Sequence, residues 1–414
     1  MNKPILIGPF TQILPMSGLP LKGALKDEQL HIMEHAGILV SEGKVLAIGA
    51  YEELKNNEVE LEIIGEDRVC LPGLIDAHTH ICFGGTRAND YAMRNSGKTY
   101  LEIAKAGGGI WDTVTQTRKV NQDELIAKVT ERSNHHLKNG VTTLEVKSGY
   151  GLSVEEELKM LRAIKIANKT VLQDLVPTCL AAHMVPKDWQ GSAKDYLTKI
   201  SVDLFPLLKS EQLTNRIDAF LEEGAFSALD IAPYFHMATQ LGFDITVHAD
   251  QFSTGGSEIA IHYQAVSADH LEASSNKEIA LLAKSNTVAV ALPGASIGLG
   301  CDFTPARKLL DSGASLAIAS DHNPGSAPMG DLLTQATILG TFEKLSNAEV
   351  LAGITYRAAA ALKLKDRGIL EKGLLADFVS YPTNNYQEIT YQQGQLKPNG
   401  VWKNGVSVVN RNEQ

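Results

Sequence analysis

Eight short apolar runs, each followed by a polar or helix-like stretch, constrain this chain of 414 residues more than any other feature. They are LPGLIDAHTH (71–80), VTTLEVKS (141–148), LVPTCLAAH (175–183), IDAFLEE (217–223), DITVHAD (244–250), AVSADHLE (265–272), TVAVALPG (287–294) and SLAIASDH (315–322). Runs of this kind read as parallel strands buried on both faces. Between them lie amphipathic stretches such as DELIAKVTERSNHHLKNG (123–140) and SVEEELKMLRAIKIANK (153–169). The second opens with Ser153 and carries Glu156 three residues on, a capping-box pattern. The alternation predicts an α/β fold, a (β/α)8 TIM-like barrel. The connection after the first run is about 60 residues, too long for a plain helix, and is expected to form an active-site wall or lid.

The two ends of the chain read differently. PILIG, AGILVSEGKVLAIG and VELEII near the start, and GILEKGLLADFVSYP and GVWKNGVSVV near the end, are short, glycine-bounded β-like pieces. They predict a small β-sandwich built from both termini. The expected division is residues 1–69 and 368–414 for the sandwich and 70–367 for the barrel.

The ends of the eight runs hold most of the chemistry. His78 and His80 sit one residue apart at the end of the first run, so on a strand both imidazoles face one side and can reach one metal ion. His183 ends the third run, His248 lies near the end of the fifth, His270 of the sixth and Asp321 of the eighth. Twelve histidines scattered at random over the chain would rarely fall this way. His31, His35, His135, His136 and His236 lie elsewhere and read as surface or structural, and His262 and His322 as packing residues. Barrel enzymes keep their chemistry at the C-terminal ends of the strands.

Composition narrows the class. A formal net charge of −10 argues against a nucleic-acid or anionic-membrane partner. Cys70, Cys82, Cys179 and Cys301 form no CxxC and suit reduced thiols in a cytoplasmic protein. MNKPILIGPF lacks a basic region followed by a long apolar core, so no signal peptide is expected, and no apolar run approaches transmembrane length. AGGGI (106–110) is not followed by a Lys-Ser/Thr pair and is no phosphate loop.

HxH on strand one, His on strands five and six and Asp on strand eight resembles the amidohydrolase superfamily of metal-dependent hydrolases, over nearly the whole chain. The resemblance implies that His78, His80, His248 and Asp321 are metal ligands. Three imidazoles and a carboxylate suit Zn²⁺ or Fe²⁺/Fe³⁺ over Mg²⁺ or Ca²⁺. Two-metal members usually carry a carboxylated lysine on strand four; IDAFLEEGAF has none, so one metal per subunit is expected. Lys147, on strand two, reads as an ion-paired barrel residue that could neutralise Glu222 or Glu223.

Within the superfamily, GGTRANDY (84–91), EVKSGYGL (145–152), CLAAHMVP (179–186), HADQFS (248–253), SADHLE (267–272) and SDHNPGSAP (320–328) are similar to the imidazolonepropionases of histidine degradation. That resemblance implies hydrolysis of 4-imidazolone-5-propanoate, a planar cyclic amide with a carboxylate tail, to N-formimidoyl-L-glutamate by a metal-activated water. Arg87 offers a guanidinium fork for the carboxylate. Tyr150, Asn323 and the Gly325–Ser326 backbone offer neutral donors, and Gln251 can pair with a ring amide. His183 is expected to donate to the developing oxyanion. His270 and Asp321 are the candidate proton carriers. Two other readings compete: a deaminase of the same superfamily, and a non-catalytic scaffold on the same fold. Deaminases usually carry HxxE after strand five, where this chain has Gln251; a scaffold would have lost its ligands, and all four are present. A homodimer is expected by resemblance.

Overall fold

The computed structural model describes residues 3–410. The chain opens with strands β1 (Ile5–Ile13), β2 (Met33–Ser41), β3 (Lys44–Ala50), β4 (Glu60–Ile63) and β5 (Val69–Pro72). It continues through β6 (Leu74–Asp76), β7 (Val141–Lys147), β8 (Asp174–Ala182), β9 (Arg216–Phe220), β10 (Asp244–Ala249), β11 (Ser267–His270), β12 (Val288–Ala291) and β13 (Leu316–Ile318). It closes with β14 (Phe378–Tyr381), β15 (Gly400–Lys403) and β16 (Val406–Asn410).

Strands β6 to β13 lie side by side in chain order, every pair parallel, with helices between them. This is the expected barrel. Its strands are the eight apolar runs, shortened at their ends; β7 is buried at all seven positions, as a strand covered on both faces must be. The helices start where the sequence offers caps. Ser153 accepts from the Glu156 amide, and Asn121, Ser192, Ser227 and Ser275 close full capping boxes.

The ring closes in an unusual place. Strands β6 and β13 join only beyond their ends, where Thr79 bridges His322, the His80 amide donates to the His322 carbonyl (2.9 Å) and the Asp321 amide to the His78 carbonyl (3.0 Å). The closing seam is thus made by the segments that carry His78, His80 and Asp321, and backbone hydrogen bonds set their separation.

The first expected strand, 71–80, is divided. Val69–Pro72 pairs with β1 and β14 in a second sheet, and only Leu74–Asp76 enters the barrel. Gly73 makes the step; a Cβ there would lie 2.3 Å from Thr142 Oγ1. The second sheet runs β16-β15-β14-β5-β1-β2-β3, with β4 also on β1, so both ends of the chain build it. Its core is aromatic: Phe378 stacks on Trp402 at 4.7 Å and Phe10 meets both rings edge-on. Among the described residues no helix is long and apolar enough to cross a membrane.

Candidate active site

His78 Nε2 and His80 Nε2 are 3.1 Å apart, and His248 Nε2 is 3.3 Å from His80 Nε2. Asp321 Oδ1 lies 3.6 Å from His78 Nε2 and 3.5 Å from His80 Nε2. Metal–nitrogen bonds of about 2.0–2.1 Å put neighbouring donors roughly 3 Å or slightly more apart; the three imidazoles are grouped for one ion, with Asp321 beside His78 and His80. The three histidines are the one group of three or more His, Cys, Asp or Glu side chains among the described residues spaced to hold an ion.

Carboxylates behind the rings set their tautomers. Asp269 Oδ2 is 2.7 Å from His78 Nδ1, and Asp218 Oδ2 is 2.9 Å from His248 Nδ1. Each Nδ1–H donates outward, which leaves the Nε2 lone pair facing the centre. Burial holds His78 and His80 well below the ordinary histidine range and His248 at about 3, so all three rings are neutral. Burial alone would raise Asp218, but His248 and Lys147 beside it hold it low. Asp269 is pushed up to about 7 by burial against the pull of Lys147. Neither carboxylate was singled out from sequence. The available signal was an acidic residue inside a barrel strand, in RIDAF and SADH.

Lys147 does not neutralise Glu222 or Glu223. Its ammonium lies 2.8 Å from Glu145 and 2.8 Å from Asp218, inside the barrel, because positions two apart on β7 share the inward face. Glu222 accepts instead from the amides of Phe252 and Ser253 and ties the loop after β9 to the loop after β10.

Above the donors opens a cavity of about 770 Å³, lined by His80, His183, His248, His270 and Asp321 at its floor and by Arg87, Tyr150, Gln251, Asn323, Gly325 and Ser326 on its walls. All the substrate-side candidates therefore meet in one space. The long first connection supplies one wall, with Arg87, Asp90, Arg94, Lys98, Ile103 and Ile110. Arg87 donates through Nε to Asp90 (2.7 Å), which also accepts from the Gly109 amide (2.9 Å). The far edge of the guanidinium lies against Gly325, where a Cβ would come within 2.1 Å of Nη1. Arg94, unremarked in the sequence, donates to the carbonyls of Gly298 and Gly325 and ties the first connection to the helix after β12 (Pro293–Leu299) and the turn after β13.

Three parts of the site behave differently from the sequence reading. The amides of Gly325 and Ser326 both donate to Asn323 Oδ1 at 2.8 Å, so they are occupied within the turn. Asn323 Nδ2 donates to the carbonyl (2.7 Å) and carboxylate (2.9 Å) of Asp321 and to Ser326 Oγ (2.9 Å), which makes Asn323 a brace for Asp321. His183 Nδ1 lies 2.9 Å from the Gly149 carbonyl, and burial lowers the ring to about 4. A neutral His183 that donates from Nδ1 offers the cavity an acceptor at Nε2, where the oxyanion role needs a donor.

The rim is strained. Asp250, His270, Leu271 and Asp321 all have positive φ, from 51° to 86°, a conformation that costs such residues about 1–3 kcal/mol each and gathers at functional sites. Glu272, 3.5 Å from His270 Nδ1, raises the basicity of that ring against the effect of burial. Burial raises Asp321 to about 6 against the pull of His270.

Comparison with known proteins gives the lineage. The amidohydrolase family model matches residues 104–409. The imidazolonepropionase of Bacillus cytotoxicus is 38% identical over 407 residues, which is 97% of this chain and 96% of that one. The imidazolonepropionase of Bacillus mycoides is 38% identical over 398 residues, or 95% and 94% of the two chains.

This chain belongs to the imidazolonepropionase family.

Imidazolonepropionases are amidohydrolases, and the chain is accordingly a metal-dependent hydrolase of cyclic amide C–N bonds. The fold extends beyond the family. A triazine hydrolase variant superposes with a TM-score of 0.74 at 16% identity, covering 98% of this chain and 95% of that one. A zinc-bound adenosine deaminase from Xanthomonas campestris superposes at 0.73 and 18%, covering 99% and 93%.

Proposed function

We propose that this enzyme opens the ring of 4-imidazolone-5-propanoate to give N-formimidoyl-L-glutamate, in histidine degradation, with His78, His80, His248 and Asp321 holding one zinc or iron ion per subunit. One observation carries the reading: three imidazoles grouped for one ion, with Asp321 beside two of them, floor a cavity whose wall presents an arginine held edge-on by a carboxylate. Relatives of the same fold solved with zinc, including atrazine chlorohydrolase from Arthrobacter aurescens, support zinc; the donor set accepts iron equally.

A divalent metal held by these donors would supply Lewis acidity and lower the pKa of a nearby water to roughly 7. The protein does the rest. Arg87 pairs with the propanoate carboxylate and turns the ring carbonyl toward the floor. Gln251 meets the ring amide with both a donor and an acceptor. His183 Nε2 accepts from a ring N–H, the role its tautomer favours. Tyr150 closes the side next to His183, their rings 5.4 Å apart. The water oxygen bonds to the carbonyl carbon, the ring C–N bond breaks, and the water's proton ends on the departing nitrogen. His270 and Asp321 carry that proton, His270 taking it first and Asp321 delivering it. Asn323, Gly325 and Ser326 keep Asp321 and Arg87 in register.

The remaining parts of the reading are a barrel domain over 70–367, a terminal domain from 1–69 and 368–414, and a cytoplasmic homodimer. The test of the substrate assignment is Arg87→Ala against two compounds, the propanoate and an analogue without its carboxylate. The reading predicts that the variant is damaged on the first and little changed on the second. Equal damage on both would remove Arg87 from carboxylate recognition.

A further inference from the structure

The mechanism leaves a fully buried cation beneath the site unused. Lys147 ends β7, has no exposed surface, and lies beneath the donors among three buried carboxylates. Its Nζ is 2.8 Å from Glu145 Oε2, 2.8 Å from Asp218 Oδ2 and 3.8 Å from Asp269 Oδ2. Those last two oxygens are the ones that meet His248 Nδ1 and His78 Nδ1. One ammonium therefore stands between two imidazole–carboxylate pairs, one from β10 and β9 and the other from the end of β6 and β11. Arg216 is the other cation of this layer; its Nε is 3.5 Å from Glu145, on the side away from the histidines.

We infer that Lys147 is a positioning residue of the metal centre: it fixes the Asp218 and Asp269 carboxylates, and through them the orientation of His248 and His78. The physical reason is like-charge repulsion. Asp218 and Asp269 are buried within reach of one ammonium, and without it the two carboxyl groups would face each other in a low-dielectric interior with no cation between them. They would turn or separate, and each would take its imidazole with it. Glu145, anchored by Thr178 Oγ1, holds the ammonium from the strand's own side, so Glu145 and Asp218 fix it at 2.8 Å and Asp269 lies 3.8 Å away.

The inference rests on the proposed metal-holding role of His78 and His248. The experiment is a cycle of four proteins: wild type, Lys147→Met, Asp218→Asn and the double variant. Each is loaded with Zn²⁺, and affinity is read by competition with a chromophoric chelator. Loading with Co²⁺ then reads the visible band, which reports donor geometry. Lys147→Met should lose roughly 10–100-fold in affinity, the range for residues that orient a metal-bound histidine, and its cobalt band should shift. In the Asp218→Asn background the same substitution should cost less than threefold, because its main route is gone. The double variant is charge-balanced, so it gives this comparison even if Lys147→Met does not fold. Equal losses in both backgrounds, or wild-type affinity and band in folded Lys147→Met, would overturn the inference. His248→Ala keeps the two readings apart: if it retains wild-type zinc affinity, the ligand assignment itself fails.

Discussion

The described residues form two sheets of eight strands each, and their interiors could hardly differ more. The sheet built from the chain ends is filled by Phe10, Phe378 and Trp402, three rings in mutual contact. The barrel encloses a layer of buried ions below its histidines, with Glu145, Lys147, Asp218 and Asp269. Burying apolar area stabilises a fold with no geometric demand. Burying charge costs several kcal/mol per ion unless partners are fixed. The first interior holds the chain together, and the second spends stability to hold side chains at set angles. Function follows the second, and mutations should separate the two regions cleanly.

The largest effect on activity is expected at the floor. His80→Ala removes one of four donors, so the purified protein should contain far less than one metal per chain, and activity should fall to background. Stoichiometric metal with near-normal kcat would break the contrast. One step up the wall, Arg87→Ala should leave metal content intact. It should lower kcat/KM by roughly 2–5 kcal/mol, the cost of stranding a carboxylate in a closed pocket. Arg94→Ala should act more weakly. It loses two hydrogen bonds from a charged group, each worth at most roughly 1.5–3 kcal/mol, of which only part reaches the substrate, and the loss should show chiefly as a higher KM because the Gly325 turn loosens. The smallest effect on activity belongs to the other sheet. Phe10→Ala should cost about 3–5 kcal/mol of stability, seen as a lower Tm, while kcat/KM and metal content per folded molecule stay at wild-type values.

The barrel was legible because parallel strands must be apolar along their length, and alternation with helices leaves few other folds. The His-x-His pair, His248, His270 and Asp321 were legible because strand ends in such a barrel converge. Three things were hidden. The split of the first strand at Gly73 depends on pairing with β14, some 300 residues away in the chain. The partners of Lys147 are on β7, β9 and β11, and no local pattern says which inward carboxylates meet across a ring. The occupied amides at Gly325 and Ser326 follow from an Asn323 turn whose geometry appears only once Asp321 is fixed by the seam.

The most direct test of the central claim uses the metal-loaded enzyme and freshly prepared 4-imidazolone-5-propanoate. Loss of the imidazolone ultraviolet band is followed while ammonia is measured in the same sample. The account predicts rapid loss of the band, N-formimidoyl-L-glutamate as product and no ammonia. A fully metallated protein that leaves the band unchanged, or that releases ammonia in step with its loss, would contradict it.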